Sequence, residues 1–248
     1  MSLIIAEIRK VTTVWTTAIL TLVGVALAGT AGTFFVFESE FSGKFLGADA
    51  QVAAIIDQVG GVAIIALVVG LLSVTTEFRH QTIGRTFQLV PSRTRVVAVK
   101  MLVGAAYGVV FFVLGVVPLL GVMLVSGRDL EFGELTQAAL WQGPVGLALM
   151  TVFGVALGAL LRSQVVAVAL ALVHYFIVES LFVQFLPEVG RWLPFQALNA
   201  LFTSEETTAM AGDMASDALD PLVGLGVFLA YAVVAAAAAV VLMRTRDV

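Results

Sequence analysis

His174 and Glu179 are ionisable side chains set inside an otherwise apolar run, residues 163–187. Polar groups at membrane depth are costly and mark pathways or proton relays by default. An imidazole and a carboxylate there could line a translocation pathway. They also fit a structural role, the histidine hydrogen-bonded between helices and the glutamate reaching toward outer water. Their spacing predicts separate faces, since five residues at ~100° each leave them ~140° apart, with ~7.5 Å of rise. That argues against a common metal site or a close acid–base pair, with His174 near mid-membrane and Glu179 nearer the outer leaflet. Other chemistry is scarce. The chain has no cysteine, which excludes disulfides, thiolate nucleophiles and cysteine-held metals. It has no G-x-x-x-x-G-K-[ST] loop for nucleotide phosphates, no H-E-x-x-H and no G-x-S-x-G elbow. The adjacent acids Glu205-Glu206 fall in a polar connection. No catalytic residue and no metal site is predicted.

The elements that position these residues follow from composition. Of 248 residues 60% are hydrophobic and 12% charged, where a soluble domain carries about 25% charged. A soluble fold of this size could not bury so much apolar surface. The charges divide the chain into apolar runs long enough to span ~30 Å of hydrocarbon as helices, and too continuous for barrel strands. The fold class expected is all-α integral membrane, a single transmembrane domain over 1–248. It has a surface helix at 1–10 and six spans at about 11–37, 54–76, 99–126, 136–161, 164–186 and 221–243. Arg9, Lys10 and Ala26-Leu27-Ala28 have the look of a cleaved secretory signal. The uncharged run continues to Phe37, which suits a retained span.

Orientation follows from lysine and arginine in the connections. With the N-terminus inside, the inner segments hold Arg9, Lys10, Arg79, Arg85, Arg93, Arg95, Lys100, Arg162, Arg244 and Arg246. The outer ones hold Lys44, Arg128 and Arg191. Both termini are expected in the cytoplasm. The excess of arginine over lysine, with abundant alanine, valine and glycine, fits a high-GC bacterial genome and so a bacterial inner membrane. Nothing in the sequence points to nucleic acid.

Three further segments have patterns of their own. Ile4, Ile8 and Val11 at i, i+4 and i+7 predict an amphipathic helix on the inner leaflet. Residues 188–220 form a long outer connection in which Trp192, Pro194, Phe195, Leu198 and Leu201 suggest re-entrant or interfacial helices. The pairs Gly104/Gly108 and Gly154/Gly158 permit close helix approach, within the chain or between copies.

Residues 77–98 form a cytoplasmic loop in which Ile83, Phe87 and Val90 recur at i, i+4 and i+7 and Pro91 stops the helix. An apolar stripe flanked by arginines beneath the membrane is a docking element for a soluble partner or lies on anionic headgroups. Here the chain resembles the permease subunit of an ABC-2 type transporter. The resembling residues are Glu77-x-Arg79-x-x-Thr82 after span two, Pro91-x-Arg93, Lys100 entering span three, and Trp192–Phe202 between spans five and six. Gln81 departs from the small residue, often glycine, expected before Thr82.

The resemblance implies an ATP-driven exporter half. A second permease copy, or a related permease, pairs with it in the lipid, and two copies of a separate ATP-binding subunit sit below. No cofactor belongs to this chain; ATP and Mg belong to the ATPase. The loop is then the coupling helix, with Glu77, Arg79, Thr82, Ile83, Arg85, Phe87, Val90 and Arg93 as coupling residues. Ile83 and Phe87 are expected to fill an apolar cleft on the ATPase, oriented by Arg79 and Arg85. The rival readings are a proton-coupled secondary carrier using His174 and Glu179, for which no internal repeat is visible, and a non-transporting scaffold.

Overall fold

Backbone groups that meet no water must be satisfied within their own segment, so each apolar run closes into a helix. The computed structural model describes residues 3–41, 47–90, 92–128, 130–202 and 218–245. Lys44, Pro91, Glu205-Glu206, Arg246 and Asp247 lie outside the described residues. Among the described residues every regular element is helical. Six helices are long and apolar enough to cross a membrane: Trp15–Phe35, Ala48–Arg79, Arg93–Val125, Glu134–Leu161, Gln164–Phe185 and Pro221–Met243. The chain is thus a multi-pass helical membrane protein.

In chain order the elements are α1 (Leu3–Thr13), α2 (Trp15–Phe41), α3 (Ala48–Gly60), α4 (Ala63–Arg79), α5 (Ile83–Leu89), α6 (Arg93–Val125) and α7 (Glu134–Leu161). The fifth span comprises α8 (Gln164–Val173), a π turn (His174–Val178) and α9 (Glu179–Phe185). Then come α10 (Pro187–Gly190), α11 (Pro194–Asn199), a 3₁₀ turn (Ala200–Phe202) and α12 (Pro221–Thr245).

Some bounds differ from the sequence reading. α1 runs on to Thr13, so the first span starts at Trp15. The second span starts at Ala48, which adds Asp49 to it, and is broken between Gly60 and Ala63. Arg93 and Arg95 belong to the first turn of α6.

The second and fourth spans form the centre. Their most apolar stretches are 67% and 56% buried, against 17% for the first and fifth and 22% for the sixth. Small residues let the backbone of the fourth span meet those of the second and third. A Cβ on Gly154 or Gly158 would strike the carbonyl of Leu67 or Leu71, and one on Gly108 the carbonyl of Leu147. These small-residue pairs are therefore occupied by packing within the chain, the contact that substitutes for a hydrophobic drive in lipid.

Candidate functional site

One end of the bundle gathers α1, the end of α4, the start of α6 and the end of α12. Here α1 turns Ile4, Ile5 and Ile8 outward, each more than 40% exposed, and turns Glu7 inward at 3%. Glu7 meets Glu77 of α4 and Lys100 of α6, both also buried. Lys10 Nζ donates to Glu7 Oε1 at 2.6 Å and to Glu77 Oε1 at 2.7 Å. Lys100 Nζ donates to Glu7 Oε2 at 2.7 Å, to Glu77 Oε1 at 2.6 Å and to the Ser73 carbonyl at 3.3 Å. Two acids and two lysines close a neutral four-membered ring, and the Lys100 ammonium uses all three of its donors. Burial works to raise the Glu7 carboxyl, but Lys100 and Lys10 together hold it below its ordinary 4.5. Burial likewise opposes the charge on Lys10, and its two carboxylate partners still raise it above 10.5. Glu77 Oε2 is buried and accepts no hydrogen bond from the described residues. Beside the ring lies a cavity of about 10 Å³, lined by Glu7, Gly70, Ser73, Lys100, Tyr107 and Thr151. That is about the room of one water molecule.

The loop helix leaves α4 directly below this ring. Gln81 has φ +55°, its N–H donates to the Phe78 carbonyl at 3.2 Å, and the Thr82 N–H reaches back to the Glu77 carbonyl at 2.9 Å. This pair of bonds around a left-handed residue is a Schellman cap. It accounts for a glycine preference at position 81, where this chain has glutamine. Glu77 therefore holds α1 with its side chain and launches α5 with its carbonyl.

Most loop residues singled out in the sequence face the chain itself. Ile83 is 2% exposed and part of the core, and Phe87 packs against that core. Of the pair expected to fill a partner's cleft, Ile83 is covered by its own chain in this structure. Arg93 lies over the Phe87 ring at 5.4 Å and donates to the Met243 carbonyl at 2.8 Å. Arg162, over the Phe78 ring, donates to the Leu242 carbonyl at 3.2 Å. Two guanidiniums thus cap the last turn of α12, where helix carbonyls lack partners. Arg79 donates to Gln164 Oε1 at 3.3 Å and so reaches the start of α8. Val90 closes α5 through its N–H to the Thr86 carbonyl at 2.9 Å. Arg85, Gln88 and Leu89 face outward, Leu89 at 85% exposed.

At the opposite end, carboxylates meet backbone amides. The residue before α7 is Gly133, which has no side chain to cap the helix. Asp49 of α3 supplies the cap: its oxygens accept from the N–H of Gly133 at 2.8 Å and of Leu135 and Thr136 at 3.0 Å each. Leu193, before α11, likewise offers no cap. Glu179 supplies that one, Oε1 accepting from Phe195 N–H at 3.0 Å and Oε2 from Gln196 N–H at 2.8 Å. Glu179 is fully buried, and His174 Nε2 lies 3.2 Å from its Oε1.

That contact corrects the prediction of separate faces. Residues 174–178 form a π turn in which the Glu179 N–H donates to the His174 carbonyl. In a π turn residue i+5 comes round over residue i, so the α-helical 140° does not apply. The sequence reading also missed Glu7, Lys10 and Asp49. The available signals were the i, i+3 spacing of Glu7 and Lys10, and the two helix starts with no residue able to cap them.

Among the described residues no group of three or more acids and histidines is placed to hold a metal. The ring is charge-neutral and Lys100 uses all three of its donors, which suits holding elements together better than proton transfer. No protein-family model matches this sequence, and no curated protein matches it.

Proposed function

We propose that the chain is the membrane subunit of an ATP-driven exporter of the ABC-2 kind, working as a pair with two separate ATP-binding subunits. The observation that carries this reading is the mounting of α5. It hangs between two spans, yet Glu77, Arg79 and Arg93 tie its flanks to α1, α6, α8 and α12. A displacement applied to this short helix reaches four other elements, as a coupling helix must. On this reading both termini and α5 face the cytoplasm of a bacterial cell, α1 lies with its isoleucines in the inner leaflet, and the segment around α11 faces outward.

The ring suits a joint that re-pairs. Breaking a buried ion pair outright strands a charge. Glu77 Oε2 is a spare acceptor, so a lysine can change oxygens as α4 and α1 move without losing its carboxylate. Two such pairings give the bistable element through which nucleotide binding at a distance biases the spans.

The ATPase contact is assigned to Leu89, with Arg85 and Gln88 at its rim. An apolar anchor buried at an interface contributes on the order of 2 kcal/mol, about thirtyfold in affinity. In a pull-down with the purified chain, Leu89→Ala should release the ATP-binding subunit at that scale. Arg85→Ala should cost less, with an effect that fades at high salt. Recovery of no ATP-binding subunit with the unmodified chain, at any salt, would sink the reading.

A further inference from the structure

Glu179 holds more than its own span. The helix it caps, α11, carries Phe195 and Leu198 and runs into Leu201 and Phe202, each 7% exposed or less. The Phe202 ring fills the notches left by Gly60 and Gly146, and the Ala197 carbonyl lies against Gly224. The segment is therefore a wedge seated among the second, fourth and sixth spans. Its first turn is fixed by one carboxylate.

The surroundings of that carboxylate contain little other charge. His174 and Tyr175 face it from its own span. Residues 58–76, 135–161, 194–202 and 221–243 of the surrounding elements contain no acidic, basic or histidine side chain, and Asp57, buried in the second span, lies one turn before the Gly60 notch. On the neighbouring turn Glu188 is exposed, and Arg191 lies beside the Trp192 ring at 6.0 Å. The His174 side chain is 39% exposed whereas Glu179 is 0%. The imidazole is thus the accessible half of the pair.

We propose that His174 and Glu179 form a proton-binding pair that seats or releases this wedge. Ionised, the carboxylate accepts both amides and α11 stays in place. A proton taken up at the imidazole passes from Nε2 to Oε1, leaving the ring neutral. Oε1 then carries hydrogen and donates back to Nε2, so the Phe195 N–H loses its acceptor. The seated state favours the ionised form, because hydrogen bonds to a charged group stabilise that charge. Seating is accordingly strongest at high pH and weakens as pH falls. Protonating the histidine alone tightens the pair, so release requires the proton on the carboxyl. The proposal stands independently of what energises transport.

The absence of native cysteine allows a direct test on the full chain in lipid nanodiscs, without any ATPase. Ala197 is 0% exposed, so Ala197→Cys reacts with a maleimide only when the wedge lifts. Glu188→Cys, at an exposed position, is the reference that cancels thiol ionisation. The ratio of the two rates should rise about tenfold from about pH 8 to about pH 5, the scale of one net hydrogen bond in the window where histidine titrates. Glu179→Gln should give the high ratio at both pH values. His174→Gln should keep the low ratio at high pH and delay its rise to lower pH. A ratio independent of pH overturns the proposal, as does an unchanged rise in Glu179→Gln. Should Glu179→Gln fail to assemble, His174→Gln decides alone: an unshifted profile also overturns it.

Discussion

At one end of the bundle Glu7 and Glu77 meet lysine side chains; at the other, Asp49 and Glu179 meet backbone amides. In both places a carboxylate from one helix fixes the end of another, yet the partners behave differently. A lysine is a flexible point charge that can change acceptors. The ring it builds is neutral, and one of the four carboxylate oxygens is left vacant. An amide is fixed in the first turn of its helix and cannot follow a moving acid. On the proposed readings the first end re-pairs while staying joined, whereas the second is either seated or released. The ring also has charge to answer charge, while the amide caps balance theirs with dipoles alone. On the proposed readings one end transmits displacement and the other latches.

Removing Lys100 should give the largest effect. Lys100→Met leaves Glu7 and Glu77 buried with only the half-exposed Lys10 between them. Loss of one partner from a buried ion pair costs about 3–5 kcal/mol, measurable as unfolding of the purified chain in detergent. A loss below about 1 kcal/mol would mean that the ring does not fix α1. The Glu7–Lys10 pair should also be indifferent to pH where the Glu179 pair is proposed to respond. Glu7 is held below 4.5, so its contribution is present above that value and fades as pH falls through its lowered folded value. Lys10 is held above 10.5, so its contribution is full below that value and fades as pH rises through its raised folded value. Between these limits the Glu7–Lys10 pair keeps its contribution.

Asp49→Ala should come next. It strips three amides of their acceptor at the start of α7, and Gly133 offers no replacement. Loss of a helix cap costs about 0.5–2 kcal/mol. Hydrogen exchange at Gly133, Leu135 and Thr136 should quicken, with Asp49→Asn intermediate. Unchanged exchange in Asp49→Ala would show that water replaces the carboxylate, and the comparison between the ends would lose one of its two latches.

The same contrast sets what could be read in the sequence. Spans were legible because hydrophobic runs need no partner to be recognised. Helix α5 was legible because Ile83, Phe87 and Val90 repeat along one face. Charges were misleading where a distant element satisfies them. Asp49 fell outside the second span expected from about residue 54, which in fact begins at Ala48. Glu7 and Lys10 looked like the wet face of a surface helix, and their partners lie 67 to 93 residues away. The pairing of His174 with Glu179 was hidden by the π turn, since angular arguments assume α geometry throughout. Tertiary capping and local helix type are not carried by periodicity.

The smallest effect expected is at Gln81, and it tests the turn between α4 and α5. Glutamine in the left-handed region is strained by about 1 kcal/mol relative to glycine. Glycine also enlarges the freedom of the unfolded chain, which offsets roughly 0.4–1 kcal/mol of that gain. Gln81→Gly should therefore change stability by no more than about 0.5 kcal/mol in the stabilising direction. Gln81→Val places a β-branched side chain at φ +55° and should destabilise clearly, because such a residue is a genuine outlier there. The order glycine, glutamine, valine follows only if the Thr82 N–H really returns to the Glu77 carbonyl and holds position 81 left-handed. Equal stabilities for glycine and valine would mean a relaxed turn at Gln81. In that case Glu77 would hold α1 without launching α5, and a push on Leu89 would reach the ring only through Arg93 and α6.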